Sequence, residues 1–331
     1  MRCRLITIIL VLLTLCIAIV TPVLAFTSGG QRVLQSTGLL PSTPTATPSP
    51  TALPATPTPI PIPQPVLTVQ GKPPILQDSA DYLVDLDTSN TLVDTNGEKP
   101  LPMASTTKVM TALVALQTAD LNQLIPVGQD AYNRVHVDGG SSSDLVIGDK
   151  LPLKDMLYAL LLPSGNDAAV AIADALGNGS QTAFVQRMNL FAYRLRLFQT
   201  HYSNPDGLTL DDNGLHYTTA ADLARLTEYT MKIPLFAHIV ETQTYTLPAN
   251  KQHGAYKWTT TNTLLATFKG MIGVKTGYTD AAGYCLVFAA TRQKHRLLGI
   301  ILGSPSQQQR NQDVTMLLNW GFALPLLPPT F

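Results

Sequence analysis

Glutamate is nearly missing from this chain of 331 residues, which has only Glu98, Glu228 and Glu241. A reaction that needs a glutamate base therefore has few places to start. Charge of either sign is scarce, at 13% of residues, and 22 basic side chains cancel 22 acidic ones. A nucleic-acid protein needs a clustered basic excess, so no nucleic-acid partner is expected. Of three cysteines, Cys3 and Cys16 fall in an apolar N-terminal segment, and Cys285 is alone in the body. One thiol cannot build a disulfide framework, so the size of the core must hold the fold; Cys285 reads as a packed thiol, and Trp258 and Trp320 as core. Six scattered histidines have no zinc-ligand spacing, and neither metal nor other cofactor is expected. Gly-x-Ser-x-Gly does not occur, which argues against a Ser-His-Asp hydrolase built on a nucleophile elbow.

Proline, in contrast, is abundant, with 25 residues. Ten of them, with six threonines, crowd into residues 41–65, a composition that favours polyproline II and cannot bury a core. At about 3.1 Å per residue such a stretch reaches on the order of 80 Å. Before it, Arg2 and Arg4 precede an apolar run from Leu5 to Val20, and small residues end at Ala25. Two readings stand: a secretory signal cleaved after Ala25, or a retained membrane anchor. Either exports the remainder. The expected organisation is a leader over 1–25, a Pro/Thr-rich disordered linker over 26–70 and a globular body over 71–331.

Within the body, alternation over Tyr82–Asp87 and Thr91–Val93 around Thr88-Ser89-Asn90 predicts a hairpin. Residues 105–118 carry a broad apolar helical face, and helical patterns recur at 153–162, 167–176, 181–197, 219–232 and 307–320. Gly283–Thr291 and His295–Gly303 read as a second hairpin. Strands near both ends with helices between them predict an α/β (α+β) fold, its antiparallel sheet built from both chain ends and flanked by helices, with a helical region inserted.

Three short motifs bear chemistry. In Ser105-Thr106-Thr107-Lys108 the helical spacing sets an amine beside a hydroxyl, and Lys108 is the only one of eleven lysines with serine three residues earlier. A serine hydroxyl needs a base, and a lysine of lowered pKa can be one. Ser164-Gly165-Asn166 lies between two helical patterns, where it can serve a cleft edge or simply cap a helix. Lys275-Thr276-Gly277, followed by Tyr278, ends an apolar run; Gly277 would admit a substrate backbone, and a β-turn fits the same residues.

Together and in this order, the motifs match the set found in penicillin-binding proteins and serine β-lactamases. PMASTTKVMTAL, LLLPSGNDAAVAIAD, SNPDGL, HYTTAADLA, GVKTGYTDAAGYCLV and LLNWGF resemble the low-molecular-mass D-alanyl-D-alanine carboxypeptidases, the S11 serine peptidases, over about Ala80–Phe322. The resemblance implies a β-lactamase/transpeptidase-like fold with Ser105 as nucleophile, Lys108 as its base and Lys275 keeping that base's pKa low. It further implies Ser164 as proton relay, Asn166 holding the substrate amide, and the N–H groups of Ser105 and Tyr278 as oxyanion hole. Thr276, Gly277, Tyr278 and Arg310 would bind substrate, with Thr276 and Arg310 on the terminal carboxylate. The implied partners are peptidoglycan stem peptides ending in D-Ala-D-Ala, with β-lactam antibiotics as covalent inhibitors, outside the cytoplasmic membrane. Asp206 departs from the family's usual histidine in Asn-Pro-His-Gly-Leu, in a loop expected to shape the domain rather than take part in chemistry. The sequence ends soon after Phe322, where many relatives continue to a β-rich domain and a membrane helix, so an N-terminal anchor is the expected substitute.

A class A β-lactamase would need a deacylating glutamate, and neither Glu228 nor Glu241 has Glu-x-x-Leu-Asn surroundings. An endopeptidase or transpeptidase would use the same residues. A non-catalytic wall-binding module is the remaining alternative, and the intact Ser105, Lys108 and Lys275 argue against it.

Overall fold

The computed structural model describes residues 65–208, 214–292 and 295–327. The apolar N-terminal segment and most of the Pro/Thr-rich stretch lie outside them. No helix among the described residues is long and apolar enough to cross a membrane.

Five strands form the central sheet: β1 (Ala80–Asp85), β2 (Asn90–Thr95), β3 (Met271–Thr279), β4 (Gly283–Arg292) and β5 (His295–Ser304). Their order is β2-β1-β5-β4-β3, antiparallel throughout, so β3 is an edge strand. Early and late segments thus share one sheet, as the pattern predicts. β4 and β5 are apolar nearly end to end because helices cover both faces of the sheet. Helix α8 (Gln307–Ala323), begun by Ser306 accepting from the Gln309 N–H, buries Val314, Leu317 and Leu318 with Leu83, Leu286 and Phe288. The opposite face meets the inserted helical region, in which α6 (Ala220–Met231) and α7 (Pro234–Glu241) lie against the sheet and α1 (Lys108–Thr118), α2 (Gln129–His136), α3 (Leu153–Leu161), α4 (Asn166–Leu176) and α5 (Gln181–Arg194) pack among themselves and α6. In α1 every residue from Lys108 to Ala115 is buried, so it runs through the interior and carries its first residue, a lysine, inside with it.

Some differences from the sequence reading have plain causes. Helix α2 has no apolar stripe to detect, since Ala131 is its one buried residue. Helix α7 is only eight residues long and starts on Pro234. Val66–Leu67, within the stretch read as linker, pairs with Leu326–Leu327, and Leu67 is buried in the core under α8. Cys285 and Trp258 are buried as expected, whereas Trp320 packs only at the rim of that core.

Candidate active site

The site begins where the chain enters α1. Ala104 takes a left-handed φ of +46°, and Ala104–Thr107 forms one 3₁₀ turn. The Thr106 hydroxyl donates to the Met103 carbonyl at 2.6 Å and Thr107 to that of Ala104 at 2.7 Å, which tightens the turn. Residues i and i+3 eclipse in a 3₁₀ turn, so Ser105 and Lys108 are stacked more directly than an α-helix would place them.

Lys108 is fully buried, and its Nζ meets three oxygens: Ser105 Oγ at 2.8 Å, Asn166 Oδ1 at 2.9 Å and the Asp206 carbonyl at 2.8 Å. Burial lowers its pKa to about 8; Asp206 and Asp167 pull the other way, and Arg134 assists the lowering. Lys275, expected to help keep that pKa low, is a second buried amine electrostatically coupled to Lys108. It is itself held well below the ordinary lysine range, by burial first and then by Lys108 and Arg310.

The loop Asn204-Pro205-Asp206-Gly207-Leu208, expected to shape the domain, also reaches Lys108. Gly207 has φ +84°, and a Cβ there would stand 1.9 Å from the Ala104 carbonyl oxygen, so only glycine lets this loop press on the Ser105 turn. That contact brings the Asp206 carbonyl to Lys108, while the Asp206 carboxylate turns away to Arg134.

Ser164 sits in the turn between α3 and α4 at φ +66°, and its Oγ accepts from Lys275 Nζ at 2.8 Å. Asn166 is the first residue of α4 rather than part of the loop. Neither serves as a helix cap, because the cap position is Gly165. Asp167 instead accepts from the Ser143 and Leu145 N–H groups and from the Ser143 hydroxyl, fastening the segment that follows α2. Lys275 lies on β3, 1% exposed, and also donates to the Thr276 carbonyl. Gly277 lies flush with the Ser105 turn, where a Cβ would come within 3.1 Å of the Ser105 nitrogen. Tyr278 is half exposed beyond it, against Tyr284.

Arg310 projects from α8 and is 3% exposed, so it is not a surface arginine. Among the described residues no carboxylate pairs with it. Asn311 Oδ1 accepts from its Nε and Nη2 at 3.2 and 2.9 Å, and burial lowers its pKa to about 10. A buried guanidinium without an acid beside an open cleft can accept an anion.

Ser105, Ser164, Thr276, Gly277, Tyr278 and Arg310 line one cleft of about 230 Å³, with Lys108, Asn166 and Lys275 directly behind. The nine candidate site residues of the three motifs and Arg310 therefore meet here. Ser141, Thr261, Tyr284 and Gln307 also line the cleft and were not foreseen. Thr261 shares a 2.6 Å hydrogen bond with the Thr276 hydroxyl, and the Ser141 carbonyl accepts from the Asn166 N–H. Their only local signals are runs of three serines and three threonines. Glu228 and Glu241 are not in the cleft lining.

The profile of the D-alanyl-D-alanine carboxypeptidase family, Peptidase S11, matches residues 68–306. A D-alanyl-D-alanine carboxypeptidase of Streptomyces sp. strain K15 is 39% identical over 254 residues, 73% of this chain and 86% of that one. The carboxypeptidase DacF of Bacillus subtilis is 33% identical over 243 residues, and the match spans only 61% of its length. The crystal structure of the Streptomyces K15 DD-transpeptidase superposes with a TM-score of 0.72 at 35% identity, covering 77% of this chain and all of that one.

Proposed function

The chain belongs to the S11 serine peptidases, the D-alanyl-D-alanine carboxypeptidase family, and from that premise we propose that it removes the terminal D-alanine of peptidoglycan stem peptides through an acyl-enzyme on Ser105. The observation that carries this reading is the set of oxygens around Lys108 Nζ. A neutral amine has two N–H groups and one lone pair. Asn166 Oδ1 and the Asp206 carbonyl can only accept, so they take the two N–H groups and leave the lone pair to the Ser105 hydroxyl. With its pKa near 8, Lys108 supplies that neutral form close to physiological pH.

Ser105 Oγ attacks the carbonyl carbon of the penultimate D-alanine, and its proton passes to Lys108 Nζ. The N–H groups of Ser105 and Tyr278 receive the oxyanion, typically worth a few kcal/mol per donor. The proton now on Lys108 is relayed through the Ser164 hydroxyl to the leaving nitrogen as the C–N bond breaks, which returns Lys108 to its neutral form, with Lys275 holding that hydroxyl in place, and Asn166 holds the substrate amide. Thr276 and Arg310 bind the departing carboxylate. Water then cleaves the ester, restoring Ser105. The stem peptide adds along the open edge of β3, where Gly277 lets its backbone approach. β-Lactams acylate the same hydroxyl. The site works outside the cytoplasmic membrane, and the Leu5–Val20 segment either directs export or keeps the chain anchored.

The test compares the protein with Ser105→Ala. Both are incubated with a diacetylated Lys-D-Ala-D-Ala peptide, free D-alanine is measured, and a fluorescent penicillin is added. Release and covalent labelling in the wild type alone are expected. Labelling without release would favour transfer of the acyl group to an amine, a second reading supported by the similarity to a structure described as a DD-transpeptidase. Neither signal from folded protein would leave a wall-binding module.

A further inference from the structure

The mechanism uses the Asp206 carbonyl but gives no task to the charged group on the same residue. The Asp206 carboxylate is completely buried, an expensive place for an anion unless it is paired and hydrogen-bonded. Arg134 of α2 meets it with a two-pronged contact, Nε to Oδ2 at 2.5 Å and Nη2 to Oδ1 at 2.9 Å. Arg134 Nη2 also donates to the Leu208 carbonyl, and Nη1 to Asp138. The Leu208 N–H donates to Asp206 Oδ1, and Asn204 Oδ1 accepts from the Asp206 and Gly207 N–H groups, so the loop is tied internally as well. Resting on the reading of Lys108 as general base, we propose that Arg134 and Asp206 form its positioning pair: the guanidinium fixes the loop so that the Asp206 carbonyl holds one Nζ hydrogen, and the two opposite charges cancel at the amine.

Cancellation matters because a lone charge of either sign there would retune the base. Asp206 raises the Lys108 pKa and Arg134 lowers it. Among the described residues, the other charged groups around the amine are Asp167 on α4, Lys275 on β3 with Arg310 beyond it, and Asp138 behind Arg134. His216 approaches from the far side through Thr107. Among the described residues, Asp167, Lys275, Arg310 and Asp138 form no salt bridge with Asp206, which pairs with Arg134. Neutral substitutions of the pair therefore have opposite signs. Asp206→Asn leaves the guanidinium balanced only by the more exposed Asp138, and its surplus positive field keeps Lys108 deprotonated to lower pH. Arg134→Gln leaves a bare carboxylate, which holds the proton on Lys108 to higher pH.

The experiment is the second-order rate of acylation by a fluorescent penicillin as a function of pH, for the wild type, both single variants and the double variant. The expected result moves the acidic limb down for Asp206→Asn and up for Arg134→Gln, each by on the order of one pH unit. The double variant should return its limb to the wild-type position, with a lowered plateau because the carbonyl is no longer held. Arg134→Lys, which keeps the charge and loses the fork, should lower the plateau without moving the limb. A merely structural pair would change melting temperature and plateau but move no limb, or move both the same way, and that result overturns the proposal. So does misfolding of all the variants, which would make the pair a folding element alone. A wild type that is never acylated would instead defeat the reading of the site itself.

Discussion

Replacing Gly207 by alanine is a one-carbon perturbation aimed at the contact between a loop and the Ser105 turn. The new Cβ would lie 1.9 Å from the Ala104 carbonyl oxygen and 2.7 Å from Thr107 Oγ1. An ordinary contact is roughly 3.5 Å, so the loop must retreat by about 1.5 Å. Such a retreat breaks the 2.8 Å hydrogen bond from Lys108 Nζ to the Asp206 carbonyl, and the base loses one of the two acceptors that orient its lone pair. A displacement of about 1 Å in a catalytic group can cost on the order of 10²-fold in rate. Left-handed backbone adds roughly 1–2 kcal/mol of strain for any residue with a Cβ. Gly139→Ala separates the two effects, because Gly139 has φ +76° and nothing within 4 Å of its would-be Cβ. Both variants should melt lower, by about 2–4 °C per kcal/mol for a domain of this size. Only Gly207→Ala should also lose penicillin acylation, by about 100-fold. If Gly207→Ala is labelled at the rate of Gly139→Ala, the loop does not orient the base and the argument fails.

Three further outcomes follow from the site and its surroundings. Acylation by wild-type protein should climb as pH rises toward 8, since the proton on Lys108 must leave first; a rate flat from pH 6 to 9 would mean that another group accepts the proton. Arg310→Gln should raise KM for a peptide with a free C-terminal carboxylate by roughly 10- to 100-fold, the loss of one charge-assisted hydrogen bond, and should leave an amidated peptide nearly unchanged. Away from the cleft, burial and the nearby Asp81 and Asp313 push the Asp78 carboxyl up to about 7. A folded pKa above the unfolded value makes stability fall as pH rises, between about 4 and 7. Asp78→Asn should therefore raise the melting temperature at pH 8, by the equivalent of about 1–2 kcal/mol after solvent screening, and the gain should vanish toward pH 4; an equal gain at both pH values would rule out titration as its cause.

Much of this protein could be read from local pattern, and the reason is that catalysis here leans on local geometry. Ser105 and Lys108 are adjacent through a single helical turn, so their spacing already carries the hydroxyl–amine contact. Lys275 and Thr276 are neighbours on one strand, and hydrophobic period alone separates the late hairpin from the helices before it. The sheet's dual origin was equally visible, because strand patterns stand near both ends of the body. What determines the behaviour of these groups is set by residues distant in sequence. Lys108 loses its proton near pH 8 chiefly because α1 runs through the interior, and no short motif records burial. The Asp206 carbonyl reaches it only because Gly207 lets two segments about a hundred residues apart press together, and Arg134 joins from a helix without an apolar stripe. Thr261 and Asn311 matter through the partners that packing gives them, Thr276 and Arg310. The chain's chemistry is written in its motifs; the protonation states and orientations that make it run are decided by desolvation and contact, which exist only after folding.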